Sequence, residues 1–254
     1  MTTRDQWVHG ARPKTLPAAV APVLVGTAIA EFEGSLHWGI ALLALFVAIA
    51  FQVGANYSND YSDGIRGTDE VRIGPTRLVG QGLASAVSVQ RAAFAAFGTA
   101  ACAGGVMVWL SGHWVLLVVG FLAIVSAWYY TGGTNPYGYR GLGEVFVFVW
   151  FGLVAVNGTL FVQTGSVADW RGWILGAGSG ALSCALLVAN NLRDVPTDTQ
   201  VGKRTLAVRI GDHRTRLLFA ALLAFGMSTP FALIALGEPI VIAFGLCFLP
   251  FLLA

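Results

Sequence analysis

Residues 38–70 read WGIALLALFVAIAFQVGANYSNDYSDGIRGTDE. The first eighteen are almost wholly apolar, and the next fifteen carry Asn56, Asn59, Asp60, Asp63, Asp69 and Glu70. A helix that crosses a bilayer needs roughly 20 apolar residues, so the run is a membrane span that ends in amides and carboxylates. Residues of a helix advance by about 100° each. If the helix continues past residue 55, then Asn56, Asn59, Asp60 and Asp63 share one sector of about 100°.

The rest of the chain is built from the same material. It has 254 residues, 56% hydrophobic and only 11% charged, with a mean hydropathy of +0.70, whereas soluble domains are about a quarter charged. Apolar runs near 15–31, 37–58, 88–110, 113–131, 144–165, 172–192 and 214–236 predict seven spans, and an eighth begins near 238 and is still apolar at residue 254. The expected fold is a single all-α, polytopic transmembrane helix bundle over residues 1–254, with no cleavable leader. The small-residue run GAGSGALS in the sixth span predicts close helix–helix approach, because lipid gives apolar helices no drive to associate. Cys102, Cys184 and Cys247 lie in apolar segments without metal-ligand spacing and read as small buried hydrophobes.

Charge placement orients the bundle. Fourteen of the fifteen Lys and Arg fall in the N-terminus and the even-numbered connections and their flanks; Arg171 is the exception. Those segments are therefore expected to face the cytoplasm, which makes this a multi-pass protein of the cell membrane. With a net charge of +2, no nucleic-acid partner is expected. Two of these connections, 59–87 and 193–213, are long and rich in Asp as well as Arg; the positive-inside rule does not account for the Asp.

The second long connection opens with NNLRDVPTD. Asn190, Asn191, Asp194 and Asp198 again share about a 100° sector of a helix, although Pro196 is expected to break that helix before Asp198. Two helix ends on one membrane face thus offer the same set of amides and carboxylates. Such hard oxygens suit Mg²⁺, an ion that usually bridges one or two carboxylates to a phosphate. Nearby Arg72, Arg77, Lys203 and Arg204 can hold phosphate oxygens. The combination predicts a Mg²⁺–diphosphate clamp, since ionisable groups set this deep in a membrane are expensive and usually functional.

At these residues the sequence resembles the UbiA superfamily of intramembrane prenyltransferases. The stretches NDYSDGIRGTD, RIGPTRLVGQG and NNLRDVPTDTQVGKRTLAVRIG look like its two aspartate-rich regions. RPKTLPAAVAPVLVGTA at 12–28 and YYTGGTNPYGYRGLGEVFVFVWFGLVAVNGTLFVQTG at 129–165 are similar to the menaquinone-pathway branch. The likeness covers roughly residues 10–215. It implies nine helices around a cavity capped by the two long loops, so this chain is expected to lack a C-terminal helix or helices. It also implies Mg²⁺ as cofactor, with polyprenyl diphosphate and 1,4-dihydroxy-2-naphthoate as substrates, and transfer with loss of CO₂ and diphosphate to give demethylmenaquinone. On that basis Asp60, Asp63, Asp194 and Asp198 are the expected catalytic, metal-side residues. Asp69 is a further metal candidate, because the first motif does not fix which of Asp60, Asp63 and Asp69 ligate. Asn56, Asn59, Asn190, Asn191, Arg77, Lys203 and Arg204 are expected at the diphosphate, and Arg12, Lys14, Tyr139 or Arg140 at the aromatic acid. Aromatics at 128–130 and 146–150 are either a cavity wall that shields an allylic cation or an interfacial belt. Prenyl transfer to homogentisate or 4-hydroxybenzoate, and transport of a phosphorylated lipid or anion, are the competing readings. The oligomeric state is open.

Overall fold

A computed structural model describes residues 2–68 and 76–238. Among the described residues the secondary structure is entirely helical. A short α1 (Arg4–Gly10) and a 3₁₀ turn (Pro13–Thr15) lead into α2 (Pro17–Phe32), which they meet at a bend of 50°. Then follow α3 (Trp38–Ile65), α4 (Ala86–Ser111) and α5 (Val115–Thr131). The next span, Gly143–Thr164, is a composite of α6 (Gly143–Val147), a π-helical stretch (Phe148–Val154) and α7 (Ala155–Thr164). It is followed by α8 (Trp170–Gln200), a short α9 (Leu206–Ile210) and α10 (Asp212–Ala235).

Five of these elements are each long and apolar enough to cross a bilayer: α3, α4, the composite span, α8 and α10. The bent pair around α2 qualifies when taken together, and α5 is a shorter apolar helix. Helices therefore stand at all seven expected places; five are long and apolar enough to span, six with the bent pair, and α5 falls short of that length. The protein is a multi-pass membrane protein. The eighth, near 238, lies outside the described residues.

Local chemistry sets the helix ends. Ser85 and Asp169 cap α4 and α8 by accepting the backbone N–H of Ser88 and Arg171. Gly112 ends α4 at φ 76°, a left-handed position that glycine takes without Cβ strain. The GAGSGALS stretch behaves as expected. A Cβ on Gly180 would lie 2.7 Å from the Phe148 carbonyl oxygen, and one on Gly178 would lie 2.2 Å from Thr229 Oγ1. The composite span and α10 thus both press directly onto α8. Cys184 is buried as expected, whereas Cys102 is exposed on the outer face of α4.

Two helices run further than hydropathy alone indicates. α3 continues through Asp63 to Ile65, so the first polar array is helical. α8 continues to Gln200 with Pro196 inside it, which corrects the expected break. Proline removes one backbone hydrogen bond, but the helix runs on through it to Gln200, and Asp198 stays on the helix.

Candidate active site

The ends of α3 and α8 enclose a cavity of about 750 Å³. Asn56, Asn59 and Asp63 of the first array line it, as do Asn190 and Asn191 of the second. Asp63 ties the first array to the loop before α6 and to the loop that follows α8. Its Oδ1 accepts the Tyr139 hydroxyl at 2.8 Å, and its Oδ2 lies 3.4 Å from Lys203 Nζ. Lys203 also sits over the Tyr139 ring, 4.9 Å from its centroid. Burial, and then the negative charge of Asp63, push the Tyr139 phenol well above its ordinary value, so it remains a protonated donor to that carboxylate.

The N-terminal segment forms another wall. The Asn56 amide donates to the Ala11 carbonyl (2.8 Å) and to Thr15 Oγ1 (3.0 Å), and Gln52 donates to the same Thr15 hydroxyl (3.0 Å). Between these anchors Arg12 adopts φ 54°, ψ 69°, and among the described residues it is the only non-glycine with positive φ. That conformation costs on the order of 1–3 kcal/mol. It is held by the Arg12 carbonyl, which accepts both the N–H and the Oγ1 of Thr15. The turn places Arg12, Lys14 and Thr15 on the cavity.

A third wall is the loop after residue 76. Leu78 and Val79 donate their backbone N–H to the two Asp60 oxygens at 2.7 and 3.0 Å. This brings the adjacent Arg77, itself buried, to the cavity. Arg66 fastens α3 to the end of α5 by donating to the carbonyls of Thr131 and Gly133, and the Thr131 hydroxyl bonds Asn59 Oδ1 at 2.9 Å.

The expected site residues therefore divide. Lys14, Asn56, Asn59, Asp63, Arg77, Asn190, Asn191 and Lys203 line the cavity, as does Arg12. Asp60, Asp194 and Asp198 are buried, at 0%, 2% and 3% exposure, yet do not line it. Asp60 is engaged by the loop backbone, and Asp194 accepts the Arg193 guanidinium at 2.8 and 3.0 Å. Tyr139 acts through Asp63 instead of forming wall. Arg140 and Arg204 are exposed and outside the cavity; Arg204 contributes its backbone N–H to the Tyr139 carbonyl. Asp69 and Arg72 lie outside the described residues.

Sequence reading missed Arg193 and Thr131 as cavity residues. Helical spacing from Asn190 would have flagged Arg193, three residues on and on the same face. The aromatics split between the two expected roles. Tyr130, Phe146 and Trp150 line the cavity together with Tyr137, Phe51 and Phe151, whereas Trp128 stacks on Tyr61 and Phe94 away from it and Tyr129 is exposed.

The described wall thus carries five Lys or Arg (Arg12, Lys14, Arg77, Arg193, Lys203) against one carboxylate, Asp63. Asp60, Asp194 and Asp198 are buried close behind that wall, and Arg193 and Lys203 are paired to Asp194 and Asp63, so these two basic side chains are held in place by carboxylates while they line the cavity. Among the described residues no three His, Cys, Asp or Glu gather into a metal cage. The donor set still fits Mg²⁺ arriving with a phosphate ligand, because that ion commonly takes only one or two protein carboxylates and completes its shell from phosphate and water. Asp63 and the neighbouring Asn amide oxygens are donors of that kind.

Comparison with known proteins bears on the family and the fold. The chain is 55% identical over 224 residues to the 1,4-dihydroxy-2-naphthoate octaprenyltransferase of Mycobacterium tuberculosis, covering 88% of this chain and 76% of that one. It is 38% identical over 224 residues to the Escherichia coli protein of the same name, covering 85% and 72%. Its fold matches a UbiA homolog from Archaeoglobus fulgidus bound to GPP and Mg²⁺ with a TM-score of 0.72 at 13% identity, over 98% of this chain and 85% of that one. The chain belongs to the UbiA prenyltransferase family, whose profile matches residues 19–254.

Proposed function

We propose that this protein is a Mg²⁺-dependent membrane prenyltransferase. It moves a polyprenyl group from its diphosphate onto 1,4-dihydroxy-2-naphthoate, releasing diphosphate and CO₂ and leaving the reduced form of demethylmenaquinone. The single observation that carries this reading is the convergence of both polar arrays on one cavity, rimmed by five basic side chains, with Asp63 paired to Lys203 of the loop that follows α8. The names of the relatives supply the aromatic acceptor.

Arg77, Arg193 and Lys203 hold the diphosphate, Arg as a two-pronged donor and Lys as a compact charge. Asp63, with the Asn59, Asn190 and Asn191 amides beside it, would hold the metal. Bound Mg²⁺ would supply Lewis-acid neutralisation of the charge that grows on the leaving diphosphate. As the allylic C–O bond breaks, its electron pair leaves with that group, and the basic wall stabilises it. Phe51, Tyr130, Tyr137, Phe146 and Trp150 shield the cationic carbon from water. The ring carbon bearing the carboxylate then forms the new C–C bond. Loss of CO₂ returns its bonding pair to the ring, so no ring proton needs a base. Arg12 and Lys14, on the N-terminal wall, hold the acceptor's carboxylate. The prenyl tail runs along apolar wall residues such as Ala123, Ala127 and Phe151. The distribution of Lys and Arg supports a mouth on the cytoplasmic face of the cell membrane.

The test is a membrane assay with 1,4-dihydroxy-2-naphthoate and a prenyl diphosphate that scores CO₂ release. Release that depends on Mg²⁺ and stops with excess chelator is expected; full turnover in chelator ends the metal assignment, and no release ends the acceptor assignment.

A further inference from the structure

Glu144 is a carboxylate in the first turn of the composite span, 8% exposed, and it does not line the cavity. A buried carboxylate is costly unless it is hydrogen-bonded. Its polar surroundings are specific. Oε1 accepts the Asn191 amide Nδ2 at 3.0 Å. Its backbone carbonyl accepts the Cys184 thiol, which seats α6 against α8. Asn191 does line the cavity. We propose that Glu144 is a positioning residue that fixes which end of the Asn191 amide faces the bound metal–diphosphate. This rests on the reading of the cavity given above.

The argument is one of donor and acceptor identity. An Asn amide presents two N–H donors at one end and an acceptor oxygen at the other. A carboxylate oxygen only accepts, so the end of Asn191 that meets Glu144 must be nitrogen. The end left for the cavity is then Oδ1, a hard oxygen suited to Mg²⁺ or its waters. Asn59 is the contrast. Its partner is the Thr131 hydroxyl, which can donate or accept and so leaves either amide end free to face inward. Of these two cavity amides, only Asn191 has its polarity dictated by its partner. With a Gln at 144 that constraint disappears, because an amide there can donate to Oδ1 and turn the Asn191 N–H groups toward the metal.

The experiment reads binding rather than turnover. The full-length protein in detergent is titrated with Mg²⁺ in the presence of geranyl S-thiolodiphosphate, a non-reactive diphosphate analogue, and thermal stabilisation is followed. Wild type is expected to show Mg²⁺-dependent stabilisation; if it shows none, the metal–diphosphate reading fails first. Glu144→Gln is expected to raise the half-saturating Mg²⁺ about tenfold, the usual scale for a residue that orients a metal ligand, with the unliganded melting temperature little changed. The double exchange Glu144→Gln with Asn191→Asp swaps amide and carboxylate. It again forces an oxygen toward the cavity and is expected to bring half-saturation back to the wild-type value or below. Wild-type half-saturation in Glu144→Gln, or a double exchange no better than the single one, overturns the proposal. If the single variant does not fold, the double exchange decides by the same criterion: recovery upholds the assignment, and weak or absent stabilisation overturns it.

Discussion

The two ends of α8 carry ionic clusters of opposite design. Arg171 at its start and Asn191 near its end are 20 residues apart, about 30 Å of helix, which is the thickness of a bilayer's hydrocarbon core. At the start, Arg171 ties down three carboxylates: Asp169 at 2.8 Å, Glu238 at 3.3 Å and Glu33 at 3.5 Å, with the Phe32 ring beneath it. These charges come from three separate connections and meet one another, not a cavity. At the far end charged and amide side chains face a space of about 750 Å³. A cluster that faces only itself is a fastener. A cluster that also lines a cavity is the one we propose receives a ligand. The difference lies in what the charges face, not in how many there are.

The widest separation between the two designs is expected at Asp63. Asp63→Ala removes the carboxylate that faces the cavity, takes the ion-pair partner from Lys203 and leaves the Tyr139 hydroxyl with Thr68. Turnover in the CO₂-release assay should fall by about 10²–10³-fold while the detergent elution profile is kept. Near-normal turnover would make this end a fastener too. Asp60, three residues earlier, is the internal control. Asp60→Asn can accept only one of the two loop N–H groups and turns its own N–H against the other, at a cost of about 1–3 kcal/mol. Its main effect should be a lower melting temperature. A loss of turnover as large as that of Asp63→Ala without loss of stability would return Asp60 to the metal.

A smaller effect is expected at Arg193, which faces the cavity while paired to Asp194. Arg193→Met keeps the stem and removes the fork. KM for the prenyl diphosphate should rise about tenfold, as for loss of one hydrogen bond to a charged group, with KM for the naphthoate unchanged. An equal rise in both would assign Arg193 to holding Asp194 in place.

Much of this was legible from spacing. The seven apolar helices followed from hydropathy because lipid permits almost nothing but helices, and the GAGSGALS contact followed from the need for close approach. Asn56, Asn59, Asp63, Asn190 and Asn191 were found because helical periodicity puts polar residues on a common face. Periodicity does not say how far that face is from the cavity. Asp60 shares the face with Asp63 but is captured by the N–H groups of Leu78 and Val79, whose position depends on how the loop folds back. The helical passage through Pro196, the π-helical stretch that brings Trp150 and Phe151 side by side to the cavity, and the left-handed turn at Arg12 are set by packing between elements far apart in sequence. Spacing does not distinguish Glu144, because its contact with Asn191 exists only once α6 lies against α8.

The smallest effect on function, and the sharpest test of the comparison, is at Arg171. Arg171→Met should leave turnover unchanged and reduce stability by roughly 1–3 kcal/mol, the scale of hydrogen bonds to charged groups. The loss should depend on pH in a definite direction. Burial works to raise the Asp169 carboxyl, but its hydrogen bonds from the Arg171 side chain and backbone outweigh this and hold it below its ordinary value. A depressed carboxyl stabilises the fold above its unfolded pKa and gives that contribution up as the pH falls through its folded one. Glu33 is shifted the other way, first by burial and then by the Asp169 contact, so its ionisation opposes folding as the pH rises, and Arg171 moderates that. Both effects of Arg171 therefore need ionised carboxylates. The melting temperatures of wild type and Arg171→Met should be furthest apart near neutral pH and converge below about pH 4, where the carboxyls take up protons. A gap that persists at low pH would mean that Arg171 holds this end by its packing on Phe32. A fall in turnover at neutral pH, with the fold intact, would mean that the two ends of α8 are not independent.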